Sequence, residues 1–246
     1  MTTLTLDVSD GVAVITLDGA PSRNALGVDT ARDLIAACDR IESDTAIGAA
    51  IVRGANGTFC SGADRAVLAG AGEDPAEDER YHAIGTVYTA FHRFGTLGVP
   101  TVAAATGAAV GAGVNLLLAA DVAVVADDLR LIGGFVRAGI HPGGGNLTLL
   151  ARRGGRTAAA AVGLFDEEVS GTRAVELGLA WSALPAAEVD AHALTLARRV
   201  AADPELARRS ARTLRTELGS PMSWDAAIDL ERAAQMWSLR RREGRS

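Results

Sequence analysis

One stretch near the middle of the chain limits the possible folds more than any other feature. Residues 107–121 read GAAVGAGVNLLLAAD, in which glycines and alanines lead into an apolar helix predicted from about Ala112 to Asp121. The preceding residues 101–107, TVAAATG, have the β-branched and apolar character of a buried strand. A strand that turns through glycines into a helix presents the free N–H groups of the helix start. Such donors suit an oxygen atom that gains negative charge.

Two phosphate-binding motifs with glycine-rich turns do not fit this stretch. No Lys-Ser or Lys-Thr pair follows the glycines, as a P-loop requires, and Leu116 stands where a dinucleotide-binding fingerprint has its third glycine. A structural explanation stays open, because glycines also let a helix pack closely against a sheet.

A second turn of the same kind occurs earlier in the chain. AAIVRGA at 49–55 predicts a short buried strand. NGTFCSGADRAVLAG at 56–70 then turns through small residues into a helix that begins near Ala63. The chain therefore offers two turns that present backbone N–H groups.

The other segments alternate between strands and helices up to residue 156. Residues 4–18 predict a β-hairpin with its turn at Asp10-Gly11, and the acidic residues 71–80 predict a mobile surface loop. Helices are predicted over 29–43, over 80–94 and from Asn146, and strands over 122–128 and 131–135. From Thr157 onward every predicted element is a helix: 157–164, 170–179 with Ser170 as N-cap, 187–202, 204–218 and 222–240.

Composition narrows the functional classes. The 246 residues suffice for a buried core, and a net charge of −6 argues against nucleic acid as the main partner. All 24 of the Lys and Arg residues are Arg, so no lysine is available for a Schiff base. Cys38 and Cys60 are too few for a disulfide scaffold and lack metal-ligand spacing. Without a signal peptide or an apolar run that could span a bilayer, the chain is predicted to be soluble, cytoplasmic and without a membrane partner.

Five segments occur in order along the chain: SRNAL (22–26), FCSGAD (59–64), the 107–121 stretch, GIHPGGGN (139–146) and TRAVELGLAW (172–181). Together they resemble the crotonase (enoyl-CoA hydratase/isomerase) superfamily over nearly the whole chain. The resemblance implies an α/β fold, a spiral of ββα units over residues 1–186 that binds acyl-CoA. A helical C-terminal region over 187–246 is implied to trimerise, as a homotrimer or a dimer of trimers.

By motif position, the resemblance assigns the oxyanion hole to the backbone N–H groups of Ala63 and Ala112, which would bind the thioester oxygen as it gains enolate character. Coenzyme A would enter as part of the substrate, and no separate cofactor is implied. Arg23 matches a basic position near the CoA phosphates. The alternatives are a solvated surface arginine for Arg23 and a helix cap for Asp64. The implied substrate-binding residues are Arg23, Ala25, Ser61, Asp64, Arg65, Ala66, Gly111 and Phe135.

The two catalytic glutamates of a typical hydratase are absent. Their positions fall on Asn115 and Phe135, and neither side chain transfers a proton at neutral pH. An amide can still orient water, so Asn115 is retained as a catalytic candidate together with His141 in the glycine-rich turn. His141 has an alternative as a turn histidine bonded to backbone. His82 and His92 are more distant candidates that also fit a helix surface.

The sequence therefore predicts an acyl-CoA enzyme of the enoyl-CoA hydratase/isomerase type, a lyase or an isomerase. The reaction stays open between hydration with a replaced base, double-bond isomerisation, and hydrolysis or carbon–carbon cleavage of a specialised thioester. Two alternatives belong to other classes: a catalytically silent acyl-CoA binding or carrier protein, and a structural oligomeric subunit.

Overall fold

The computed structural model of the protein describes residues 1–73, 77–217 and 223–243. These residues form an α/β fold with one six-stranded and one three-stranded sheet. The strands are β1 (Thr3–Ser9), β2 (Val12–Asp18), β3 (Ala49–Gly54), β4 (Thr101–Ala105), β5 (Ala108–Val110), β6 (Val122–Ala126), β7 (Arg130–Ile132), β8 (Val169–Ser170) and β9 (Ser182–Leu184). The helices are α1 (Val28–Ser43), α2 (Arg65–Glu73), α3 (Asp78–Gly95), α4 (Ala112–Ala119), α5 (Asn146–Gly163), α6 (Gly171–Glu176), α7 (Ala186–Ala201), α8 (Pro204–Glu217) and α9 (Trp224–Glu243).

The larger sheet has the strand order β1-β2-β3-β4-β6-β9. β1 and β2 form the predicted antiparallel hairpin, whose turn places Asp10 and Gly11 at φ values of 52° and 72°. The remaining neighbours run parallel, and β4 is buried along its whole length. This burial explains why β4 is almost continuously apolar rather than alternating.

The smaller sheet, in the order β5-β7-β8, makes the fold a spiral. The chain leaves β4 in the larger sheet, enters β5 in the smaller sheet and continues into α4. It then repeats the pattern with β6, β7 and α5. This succession of ββα units agrees with the predicted fold class, and it brings the carboxyl ends of several strands to one region.

Several predicted boundaries are wrong. The supposed loop over 71–80 is partly helical, because α2 reaches Glu73 and α3 begins at Asp78, whereas residues 74–76 lie outside the described residues. The strand predicted over 131–135 ends at Ile132. The helix from Asn146 and the one over 157–164 are a single element, α5, with a kink at Gly155, where φ is 74° and ψ is 177°.

The carboxyl-terminal part is not entirely helical, contrary to the prediction. β8 and β9 interrupt it, and β9 joins the larger sheet beside β6. Ser170 is the N-cap of α6, as predicted, since its Oγ accepts from the Arg173 N–H at 3.2 Å. α7 packs against β3, β4 and β6, and α9 packs against α2 and α3. Met222, the predicted start of the last helix, lies outside the described residues.

None of the helices in the described ranges combines the length and apolar character that a membrane crossing demands.

Candidate active site

Both glycine-containing turns open onto one cavity of about 1310 Å³. Its wall also includes residues of α3, the segment 132–140 and Gln235 of α9. Nine of the twelve predicted site residues line it: Arg23, Ala25, Ser61, Ala63, Asp64, Arg65, Gly111, Ala112 and Phe135. Ala66, Asn115 and His141 do not belong to the lining.

The N–H of Ala63 is left free by the way its segment pairs with residue 26. The Leu26 N–H donates to the Gly62 carbonyl oxygen at 2.8 Å, and the Asp64 N–H donates to the Leu26 carbonyl oxygen at 2.9 Å. Ala63 lies between Gly62 and Asp64, the two residues that bond to Leu26. In a parallel bridge of this kind, the residue in that middle position directs its own N–H away from the bridging strand. Within the described residues, no acceptor takes the hydrogen of the Ala63 N–H.

Ala112 is the first residue of α4, so its N–H has no acceptor inside the helix. The residue before it, Gly111, has φ 52° and ψ −112°, and its N–H donates to the Ile132 carbonyl oxygen at 3.0 Å. The described part of the chain contains no acceptor for the Ala112 N–H. The positive end of the α4 dipole therefore faces the cavity at this point.

The two turns approach each other because glycine stands where they meet. Gly62 has a φ of +98°, and a Cβ atom there would lie 2.7 Å from the Val110 carbonyl oxygen and 3.6 Å from the Ala112 nitrogen. A Cβ atom on Gly113 would overlap the Cys60 carbonyl oxygen. Any side chain at these positions would separate the two turns, so the glycines keep the segments that carry Ala63 and Ala112 in close contact.

A buried side chain that sequence reasoning missed, Asn24, holds the neighbouring loop. Its Oδ1 accepts from the Gly19 N–H at 2.8 Å, and its Nδ2 donates to the Thr58 carbonyl oxygen at 2.6 Å. Ser61 continues this contact, since its N–H donates to the Arg23 carbonyl oxygen at 3.0 Å. Asn24 thereby fixes Arg23 at the cavity. Its place inside the SRNAL motif was the available signal.

Asn115 is fully buried and its amide is used by the protein itself. The Nδ2 donates to the Gly143 carbonyl oxygen at 2.9 Å, and the Oδ1 accepts from Asn146 Nδ2 at 2.8 Å. These bonds attach α4 to the glycine-rich turn before α5. In this geometry Asn115 positions the turn and does not contact the cavity, so its predicted action on substrate has no geometric support.

His141 lies beside the cavity wall in the same turn. Its Nδ1 is 2.7 Å from the Pro142 carbonyl oxygen, and its own carbonyl oxygen accepts from Gln235 Nε2 at 3.1 Å. The first contact matches the alternative that the sequence left open, a turn histidine bonded to backbone. A catalytic role for His141 stays a prediction.

The other candidate side chains, an aspartate, two histidines and a cysteine, bond to protein groups, lie on a helix surface or are buried. Asp64 Oδ1 accepts from the Ala66 N–H at 2.8 Å, which is the helix-cap alternative. His82 is exposed on α3, and His92 Nε2 lies 2.9 Å from Asp225 Oδ1, where burial lowers the pKa of the imidazole. Cys60 is fully buried in the core, and this burial raises the pKa of its thiol to about 12.

The cavity carries little acid–base chemistry. Phe135, which the resemblance aligns with the second hydratase glutamate, lines the cavity, and its ring lies 3.8 Å from where a Cβ of Gly111 would be. No glutamate or histidine side chain lines the cavity within the described ranges. Its titratable lining residues are Arg23, Arg65, Arg130, Arg137, Asp64, Asp128 and Tyr88. Sequence reasoning missed Tyr88, because no motif surrounds it.

A family model described as "Enoyl-CoA hydratase/isomerase" matches residues 7–238. The chain belongs to this family. A Mycobacterium tuberculosis protein named "Probable enoyl-CoA hydratase echA14" is 38% identical over 89% of this chain and 84% of its own length. An Escherichia coli relative, "1,2-epoxyphenylacetyl-CoA isomerase", is 27% identical over 93% of this chain and 87% of its own length. The crystal structure of an enoyl-CoA hydratase/isomerase from Xanthobacter autotrophicus Py2, 27% identical, has a TM-score of 0.87 and covers 97% of this chain and 90% of that chain. This enoyl-CoA hydratase/isomerase family member is accordingly an acyl-CoA enzyme.

Proposed function

We propose that the enzyme binds an acyl-CoA thioester in the cavity and stabilises its enolate with the backbone N–H groups of Ala63 and Ala112. Three observations support this proposal: both N–H groups lack an acceptor in the described residues, Ala63 and Ala112 both line the cavity, and glycines let their two turns come into close contact. A thioester oxygen placed between them would accept two hydrogen bonds that strengthen as negative charge develops. Each such donor contributes on the order of 10²- to 10³-fold in rate.

The arginines around the cavity support binding of the coenzyme A portion. Arg23, Arg65, Arg130 and Arg137 all line it. Arg130 pairs with Glu168 and Arg137 pairs with Asp166, so Arg23 and Arg65 are the arginines that we propose for the phosphates. On the resemblance alone, we further propose a homotrimer or a dimer of trimers in the cytoplasm, with no cofactor besides the coenzyme A of the substrate.

The reaction we propose is not hydration by a pair of glutamates. Phe135 cannot move a proton, and the Asn115 amide already bonds to the glycine-rich turn. Positioned acid–base groups contribute about 10²- to 10⁴-fold each, so ordinary hydration should be slow. Isomerisation, hydrolysis or cleavage of a specialised acyl-CoA fits the cavity better than hydration of a simple enoyl-CoA.

A second candidate is a catalytically silent acyl-CoA binding protein. The same two positions favour it, because the cavity keeps the thioester-binding N–H groups and lacks both glutamates.

Incubation with crotonyl-CoA and longer enoyl-CoAs, analysed by mass spectrometry and chromatography beside calorimetric binding, separates these functions. Gain of one water would indicate hydration, a new species of unchanged mass isomerisation, and free coenzyme A hydrolysis. Tight binding without any product would favour the silent binder. Absence of both binding and turnover would contradict the proposed function.

A further inference from the structure

Helix α3 contributes one face to the cavity. Ile84, Val87 and Tyr88 all line it, and their spacing of three and four residues places them on the same side of the helix. Ile140 and Phe135 line the cavity as well. The wall that α3 helps to form is therefore mainly apolar, and Tyr88 is the residue of this face that carries a hydroxyl group.

The Tyr88 hydroxyl is buried without a hydrogen-bond partner among the described residues. The side chain as a whole is 5% exposed. A buried hydroxyl that has left water and found no acceptor destabilises the folded state, and phenylalanine would fill the same space without that cost. Burial also raises the pKa of the phenol, so the group remains a neutral donor throughout the ordinary pH range.

Tyr88 lies next to the place where the first hydratase glutamate has been lost. A Cβ atom built on Gly144 would lie 3.1 Å from Tyr88 Cδ1 and 2.8 Å from Asn115 Nδ2. The ring and the Asn115 amide thus meet at the same turn. That amide is already bonded to protein groups, whereas the Tyr88 O–H still has its hydrogen to donate.

We propose that Tyr88 is a specificity residue that donates a hydrogen bond to an oxygen on the acyl chain of the substrate. The substrate class is then an acyl-CoA whose acyl group carries a hydroxyl or carbonyl oxygen beyond the thioester. This inference rests on the proposed function, since it places the acyl chain in the cavity.

The test compares calorimetric binding of hexanoyl-CoA with that of hexanoyl-CoA esters bearing a hydroxyl at carbon 3, 4, 5 or 6. Wild-type protein should bind at least one hydroxylated ester about tenfold more tightly than hexanoyl-CoA. The reason is that the ester's hydroxyl oxygen would accept a hydrogen bond from the Tyr88 O–H, which otherwise stays buried without a partner. Tyr88→Phe should abolish this preference, so that the variant binds the hydroxylated esters about as tightly as it binds hexanoyl-CoA.

Tyr81→Phe is the matched control. Tyr81 is on the same helix, lies under the Arg232 guanidinium at 4.3 Å and does not line the cavity, so its variant should keep the wild-type preference. Equal binding of all esters by wild type, or a preference that persists in Tyr88→Phe, would overturn the inference while leaving the proposed function intact. Failure of wild type to bind even hexanoyl-CoA would overturn both.

Discussion

Glu231 on α9 connects the carboxyl-terminal helix to the start of α5, and this contact should make stability depend on pH. Its Oε2 accepts from the N–H groups of Gly145 at 2.8 Å and Asn146 at 3.0 Å. The residue is 6% exposed. Burial raises the pKa of the carboxyl from 4.5 to about 7, although the backbone N–H groups oppose that rise.

The sign and size of the effect follow from that difference. Between pH 4.5 and about 7, Glu231 binds more protons in the folded chain than in the unfolded chain, so the free energy of unfolding falls as the pH rises. A difference of about 2.5 in pKa corresponds to about 3 kcal/mol. Glu231 therefore makes its full contribution to the free energy of unfolding below pH 4.5, and this contribution is lost as the pH rises past about 7.

Glu231→Gln is the informative variant, because an amide oxygen can still accept from Gly145 and Asn146 but does not titrate. Denaturant unfolding of both proteins from about pH 5 to about pH 8 gives the difference in unfolding free energy, in which the contributions of all other groups cancel. The wild type should lose about 2 to 3 kcal/mol relative to the variant over this range. A difference that stays constant, or that changes in favour of wild type, would refute the reasoning.

Three further predictions concern buried side chains. Asn24→Ala should lower the free energy of unfolding by roughly 2 kcal/mol in denaturant titrations, because it leaves buried backbone groups unpaired. Asn115→Ala should lower the melting temperature more than His141→Ala, since only the first loses a fully buried amide; equal melting temperatures would contradict the positioning role. The thiols of Cys38 and Cys60, whose pKa burial raises to about 12, should resist alkylation in native protein near pH 8 and react after unfolding.

Local patterns predicted much of the fold, and the errors fall on elements defined by distant partners. The hairpin and α1 were predictable because alternation and helical spacing are visible within a single segment. β9 has only three residues and exists because β6 lies beside it, more than fifty residues earlier in the chain. β8 has two residues, too few to show any alternation. Such strands carry no signal of their own.

The candidate site divides in the same way. The turns at Ala63 and Ala112 were predictable, because glycine and alanine before a helix start are a local requirement for exposed N–H groups. The orientation of the Asn115 amide was not, because it depends on where the Gly143 turn folds back onto α4. Tyr88, Glu231 and Gln235 reach the site region from helices distant in sequence, and no local motif identifies them.

The central claim is that the Ala112 N–H binds the thioester oxygen. Proline is tolerated at the first position of a helix, so Ala112→Pro removes this donor and costs α4 no intrahelical hydrogen bond. Ala112→Gly changes the same residue but keeps its N–H. Val28→Pro introduces a proline at the first position of another helix, α1. Gly27 before it is extended, and Val28 does not line the cavity. These two variants serve as controls.

The decisive measurement is the absorption spectrum of a conjugated dienoyl-CoA bound to each protein. Hydrogen bonds to the thioester oxygen polarise the conjugated system and shift its absorption to longer wavelength. We predict this shift with wild type, Ala112→Gly and Val28→Pro, and its loss with folded Ala112→Pro. A shift of wild-type size with Ala112→Pro would contradict the oxyanion hole.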